Sequence, residues 1–315
     1  MKKILIDTDL GDDLDDAFAL MSAMCLNLDI IGITTVFRDT RSRARMAKKL
    51  LHDFGYADTP VYPGWSEYAP QPENNENVCL FGPELNAPEY EPDGHDPEEA
   101  VDFIIESCRR WGKDLTIIAI GPFCNLAKVI EKDPQALALA DKVCIMGGAY
   151  FKQYADWNVM CDVPAAEVMF RGLPNLHCIG ADVTHLLYAD DVLLDALNSG
   201  AMGYLSTLYR EWRQRDPNGP FLLHDVLAIY YALDPNICDM ESIHVQLITQ
   251  GPAKGLTLNV EGYSKAWLNE AYRELPQNPP VWAAKTVDLE LFTRLFHRDL
   301  AHYMNKIVKG NEHHG

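Results

Sequence analysis

The stretch that most restricts what this chain can become lies at its N-terminus: Ile4-Leu5-Ile6-Asp7-Thr8-Asp9-Leu10-Gly11-Asp12-Asp13-Leu14-Asp15-Asp16-Ala17. Three apolar β-formers read as a short buried strand. Ala17, Leu20, Met21 and Met24 then fall at helical spacing, so a helix starts near Asp15 or Asp16. Between them runs an acidic turn pivoting on Gly11, with six carboxylates in ten residues and no Lys or Arg to offset them. A helix N-terminus favours one or two carboxylates through its dipole, not six. One reading is a solvated turn with Asp15 and Asp16 as helix caps. The other is a hard cation held by oxygen ligands, because a strand running into clustered acids is where open α/β sheets place their sites.

The strand-then-helix unit recurs along the chain. Strands are expected at 28–36, 59–64, 115–120, 142–146 and 176–180, with helices at 41–54, 97–111, 126–132 and 164–170 between them. The run 115–120 is almost continuously apolar, as in a strand covered on both faces. The alternation predicts an α/β fold: an open, mainly parallel, Rossmann-like sheet flanked by helices. The C-terminal part is more helical, with helices at 189–197, 205–215, 223–233 and 292–308 and late strands at 243–248, 255–260 and 285–287. Residues 65–96 are rich in Pro, Asn and Glu with weak periodicity and read as a functional loop, a lid or a partly disordered segment. No repeat or linker divides the chain, so residues 1–315 are expected to form one domain.

Composition narrows the function. A net charge of −19 argues against nucleic acid or an anionic membrane as partner. Eight scattered cysteines without a Cys-x-x-Cys pair suggest reduced thiols and a cytoplasmic protein. Only three apolar residues separate Lys3 from Asp7, too few for a signal peptide, and no apolar run is long enough to span a membrane.

The C-terminal ends of parallel strands share one sheet edge. Asp7, Asp9, Asp13, Asp15 and Asp16 gather there, followed by Asp39, by 120–125 and by Asp156-Trp157-Asn158; His224-Asp225 opens a helix downstream. No Gly-x-Ser-x-Gly elbow, phosphate-binding Gly-x-x-x-x-Gly-Lys loop or dinucleotide fingerprint is present. Oxygen donors suit calcium or magnesium better than zinc. The turn is not an EF-hand: Gly11 is one place early, and the twelfth position from Asp7 is Phe18.

In order along the chain, Asp7-Thr8-Asp9-Leu10-Gly11, Asp15-Asp16-Ala17, Gly32-Ile33-Thr34-Thr35-Val36 and Gly121-Pro122 with Asn125-Leu126-Ala127 form a pattern. It continues through Met146-Gly147-Gly148, Asp156-Trp157-Asn158-Val159 with Asp162, Asp182-Val183-Thr184-His185 and His224-Asp225. The whole resembles the nucleoside hydrolase family, inosine-uridine preferring, calcium-dependent N-ribohydrolases. The resemblance implies hydrolysis of a ribonucleoside or related riboside to free base and ribose by a calcium-positioned water. It implies Ca2+ ligands at Asp9, Asp16, Asp225 and the Ile120 carbonyl, and Asp15 as general base. Asp156 and Asn158 would hold ribose hydroxyls, with Trp157 beside them, and His224 would sit near the leaving base. A homodimer or homotetramer is implied as well.

The chain departs from that pattern in four places. Two residues are added before Asp15-Asp16, so Asp12 and Asp13 compete for the base and metal roles, and Asp7 is a further alternate. Asp156 stands where Glu is usual, and Asp39 and Tyr150 stand where sugar-binding amides are usual. With Asp39 and Tyr150 as substrate contacts, low activity on inosine and uridine and better activity on an altered riboside are expected. Two other classes compete. A haloacid-dehalogenase-type phosphatase would use Asp7 as nucleophile and Asp9 as acid. A non-catalytic nucleoside- or ribose-binding protein would keep the scaffold without the chemistry. Asn125 reads equally well as a helix cap, and His52, His177, His185 and the terminal His313-His314 read as surface or packing residues.

Overall fold

A computed structural model describes residues 2–68, 87–200, 202–261 and 278–312, with side chains as far as Asn305. Most of the 65–96 segment and the His313-His314 pair lie outside the described residues.

Strands β1 (Lys3–Thr8), β2 (Asp29–Thr35), β3 (Val61–Pro63), β4 (Leu115–Ala119), β5 (Lys142–Met146) and β6 (Leu176–Ile179) run parallel in the order β3-β2-β1-β4-β5-β6. The sheet closes with β7 (Cys238–Ile243) at its edge, antiparallel to β10 (Val281–Val287), which pairs in parallel with β6. A separate antiparallel pair joins β8 (Val245–Leu247) and β9 (Thr257–Asn259). The stretch expected as one strand at 243–248 is therefore two strands in two sheets. The break is at His244, whose backbone N–H and ring nitrogen both meet Glu261.

The first helices are α1 (Asp15–Cys25), α2 (Thr40–Asp53), α3 (Pro97–Trp111), α4 (Cys124–Lys132), α5 (Ala136–Leu139) and α6 (Trp157–Cys161). They are followed by α7 (Val163–Gly172), α8 (Ala181–Thr184), α9 (Asp191–Asn198), α10 (Tyr204–Arg215), α11 (His224–Leu233) and α12 (Leu289–Glu312). Local chemistry explains their ends. Asp96 caps α3 by accepting from the Glu98 amide at 2.9 Å, Pro97 occupies its first position, and Gly112, at φ 49°, ends it.

Alternate strand residues face two cores. Ile4 and Ile6 pack with α1, α2, α11 and α12; Leu5 and Ile117 pack with α3, α4 and α7. Every residue of α1 is buried, so this helix runs through the interior rather than along the surface. In the order of the sheet, β2 and β3 lie to one side of β1, and β4, β5 and β6 to the other. The chain thus reverses direction of travel between β1 and β4, and the crevice beyond their C-terminal ends is where such sheets bind ligands. Among the described residues, no helix is long and apolar enough to cross a membrane.

Candidate active site

At that crevice the acidic turn leaves β1. Leu14 is the N-cap residue of α1 and makes no side-chain cap, so Asp15 and Asp16 are the first helical residues rather than the caps. Both side chains are buried, as is Asp225 in the first turn of α11. Carboxylate oxygens of Asp15, Asp16 and Asp225 all lie within 4.8 Å of one another. Asp16 accepts from the Thr8 hydroxyl, and Asp15 Oδ2 accepts from the Asp225 amide at 3.2 Å. Burial first, then the neighbouring carboxylates, pushes the pKa of Asp9, Asp15, Asp16 and Asp225 above the ordinary carboxylate range. Asp9 sits against Gly121, where an added Cβ would come within 2.7 Å of its Oδ1. Gly121 therefore has to lack a side chain for the acidic turn to close against the end of β4.

Crowded, buried, mutually repelling carboxylates cannot all stay ionised without a compensating charge. Arg43 is fully buried here, but it spends its donors on the Asp9, Leu10 and Phe37 carbonyls and on Asp12. The Asp15–Asp16–Asp225 cluster, all oxygen and net negative, can hold a hard divalent cation.

The cluster floors a cavity of about 600 Å³. Asp9, Asp13, Ile120, Asp156, Trp157, Asn158 and His224 line it as well, so the sequence-derived metal, base and leaving-group candidates converge. Asp13 is the exposed acid of the turn and bonds the Leu14 amide at 2.7 Å. Asp156 caps α6 through the Val159 amide at 3.1 Å. Asn158 donates to the Ile120 carbonyl at 2.9 Å and to the Met146 carbonyl at 3.1 Å, tying the ends of β4 and β5 together. His224 Nδ1 meets the Thr184 hydroxyl at 2.6 Å. Burial, and then His185, pushes its pKa down to about 4.

Three candidates lie off the cavity wall. Asp39 caps α2: its carboxylate accepts from the Ser42 amide at 3.1 Å and the Ser42 hydroxyl at 2.6 Å. Tyr150 is turned inward, donating to the Gly147 carbonyl at 2.7 Å and packing edge-on to Phe170. With both side chains committed elsewhere, the physical basis for weak activity on inosine and uridine falls away. Asp7 lies in β1, fully buried, with its pKa pushed up to about 7 by burial. Its Oδ1 accepts from Thr34 at 2.5 Å and Asn125 at 2.7 Å. Asn125 is not a helix cap. It also donates to the Thr35 carbonyl at 3.1 Å and accepts from the Trp65 amide at 2.8 Å, tying β1, β2 and the chain after β3 to α4.

Sequence reasoning passed over Tyr154 and read His185 as a surface or packing residue. Tyr154 and His185 both line the cavity, their rings stack at 5.2 Å, and the Tyr154 hydroxyl meets His185 Nδ1 at 2.9 Å. His185 in turn packs edge-on to His224 at 5.1 Å. The one available signal was the His-bearing turn 182–185 after β6, on the same sheet edge as the acids.

Comparison with known proteins identifies the family. The family model for inosine-uridine preferring nucleoside hydrolases matches residues 4–294. Uridine nucleosidase 1 of Arabidopsis thaliana is 30% identical over 315 residues, covering 92% of this chain and 90% of its own. The pyrimidine-specific ribonucleoside hydrolase RihB of Escherichia coli (strain SE11) is 27% identical over 285 residues, covering 82% of this chain and 87% of its own. A solved plant nucleoside hydrolase, the PpNRh1 enzyme, superposes with a TM-score of 0.79 at 28% identity, covering 95% of this chain and 98% of that one. A purine-preferring ribonucleoside hydrolase from Gardnerella vaginalis superposes with a TM-score of 0.78 at 25% identity, covering 97% and 100%. Neither the phosphatase nor the non-catalytic reading is favoured by these relatives. The chain belongs to the inosine-uridine preferring nucleoside hydrolase family and hydrolyses the N-glycosidic bond of ribonucleosides.

Proposed function

We propose that this hydrolysis takes place in the cavity at the β1–β4 switch point, with Asp15 as general base and calcium as the cation. The observation that carries the reading is the convergence of Asp15, Asp16 and Asp225 within 4.8 Å on the floor of a cavity large enough for a nucleoside. Asp9, Asp16, Asp225 and the Ile120 carbonyl are the proposed ligands. When bound, a calcium ion supplies a fixed positive charge and oxygen coordination at this floor.

The residues divide the chemistry. Asp15 accepts the proton of the attacking water. The water oxygen bonds to C1′ as the bond from C1′ to the base nitrogen breaks, and the base leaves with the electron pair. Positive charge builds on C1′ and the ring oxygen, and the surrounding carboxylates stabilise it. Direct displacement inverts C1′ and releases α-ribose. Asp156 and Asn158, both on the cavity wall, are the proposed holders of the ribose hydroxyls. His224 is the proposed partner of the departing base: its Nδ1 is engaged with the Thr184 hydroxyl, so Nε2 is the ring nitrogen left for the substrate. Uridine is the first substrate to examine, because two of the aligned relatives are a uridine nucleosidase and a pyrimidine-specific hydrolase. The family match across 4–294 supports a single domain. The test is calorimetric titration of calcium together with turnover of uridine, in wild type and Asp16→Asn. Loss of both in the variant supports the assignment; calcium binding undiminished in Asp16→Asn removes Asp16 from the site.

A further inference from the structure

Asp12 belongs to the lengthened part of the acidic turn, and the geometry gives it neither the base nor the metal position. It is buried, and both carboxylate oxygens are engaged. Oδ1 pairs with Arg38 at 3.1 Å and with Arg43 at 3.3 Å. Oδ2 accepts from the indole N–H of Trp157, 145 residues away, at 2.9 Å. Arg43 is itself immobilised by bonds to three carbonyls, so Asp12 is a fixed acceptor. Trp157 is 57% exposed and lines the cavity. A tryptophan so exposed normally samples several rotamers; here its N–H is anchored by a charge-assisted hydrogen bond to a carboxylate that cannot move.

We propose that Asp12 is a positioning residue that holds Trp157 as a preset aromatic wall of the cavity, against which the nucleobase of the substrate packs. The last clause rests on the hydrolase reading above; the anchoring of Trp157 by Asp12 does not. Presetting the ring removes the cost of ordering it when substrate binds, so its loss weakens binding rather than the chemical step.

The test compares wild type, Trp157→Phe, Asp12→Asn, Asp12→Ala and the Asp12→Ala/Trp157→Phe double variant. Uridine kinetics and inhibition by free ribose are measured, with acrylamide quenching of Trp157 taken as the difference between each protein and its Trp157→Phe counterpart. The expected result is a KM raised about ten-fold in Asp12→Ala and in Trp157→Phe, with kcat changed much less. The double variant is expected to be no worse than Trp157→Phe alone. Asp12→Asn, which keeps an acceptor oxygen, should restore most of the KM, and ribose inhibition should be the same throughout. Quenching of Trp157 should rise in Asp12→Ala. Should Asp12→Ala fail to fold, Asp12→Asn and Trp157→Phe still decide. A large fall in kcat at unchanged KM in Asp12→Asn makes Asp12 catalytic and overturns the proposal. So do multiplicative effects in the double variant, or unchanged quenching in Asp12→Ala. If wild type cleaves no riboside, the hydrolase reading fails by itself, and quenching alone decides the anchoring.

Discussion

Replacing Asp225 with Asn should stabilise the protein in chelator and destabilise it, relative to wild type, in calcium. Asp225 faces both Asp15 and Asp16, with oxygens within 4.8 Å. At an effective dielectric constant of ~20, two unit charges at this separation repel by about 3 kcal/mol. Protonation relieves part of this in the metal-free protein, so neutralising Asp225 gains roughly the energy of one pair, about 3 kcal/mol. For 315 residues, at ~2.1 cal/mol/K of unfolding entropy per residue, that raises Tm by about 4 °C. The Asn amide is not left orphaned, because it can donate to the carboxylates beside it. In calcium at a thousand times its Kd, wild type gains about 4 kcal/mol, and the variant loses this gain along with the ligand. The two Tm values should therefore cross: the Asp225→Asn variant above wild type in chelator, wild type above the variant in calcium. Differential scanning fluorimetry in both buffers, with calorimetric titration, reads this directly. A variant less stable than wild type in chelator, with calcium affinity intact, would refute the idea that these carboxylates repel one another around a cation.

Three further outcomes follow from particular contacts. Asp15→Asn should cut turnover by ~10²–10⁴-fold while keeping calcium, and Asp13→Asn should cost much less; steady-state kinetics with the reverse ranking would move the base to Asp13. Asn125→Ala strands the Trp65 amide and removes one of two donors each from the Thr35 carbonyl and Asp7 Oδ1, and should lower stability by about 2–4 kcal/mol in urea denaturation; a change under 1 kcal/mol would show that the node is dispensable. His177, hydrogen-bonded to Tyr231, has its pKa pushed down to about 4 by burial. The folded protein then binds fewer protons than the unfolded chain, so its contribution is complete above pH ~6.5 and is lost as pH falls toward 4. His177→Gln should flatten the fall of Tm between those values; parallel curves would assign the acid sensitivity elsewhere.

The sheet was legible because its strands are short apolar runs buried on both faces, as at 115–119, where side-chain identity alone specifies the environment. The bounds of α3, expected at 97–111, were legible as well. The short helices α6 and α8 were not, since four or five residues carry no period. The break at His244 depends on Glu261, a partner that adjacent residues do not reveal. In the site, the carboxylates announced themselves by their number, and the strand–turn–helix frame brought them together. Which way a side chain turns was the missing information. Asp39 and Tyr150 stand near the right edge in sequence but face Ser42 and the Gly147 carbonyl. Arg43, in the helix expected at 41–54, is fully buried beneath the turn. Tyr154 and His185 gain meaning only from stacking on each other beside His224.

The central proposal is that the ribosidic bond is hydrolysed at the aspartate cluster with calcium as its cation. The most direct measurement follows uridine and calcium by proton NMR, with and without chelator and with 2′-deoxyuridine in parallel. Release of uracil with α-ribose as the first anomer, abolished by chelator, restored by calcium and much slower for the deoxynucleoside, is the expected result. Cleavage undiminished by chelator, or β-ribose as the first product, would contradict it.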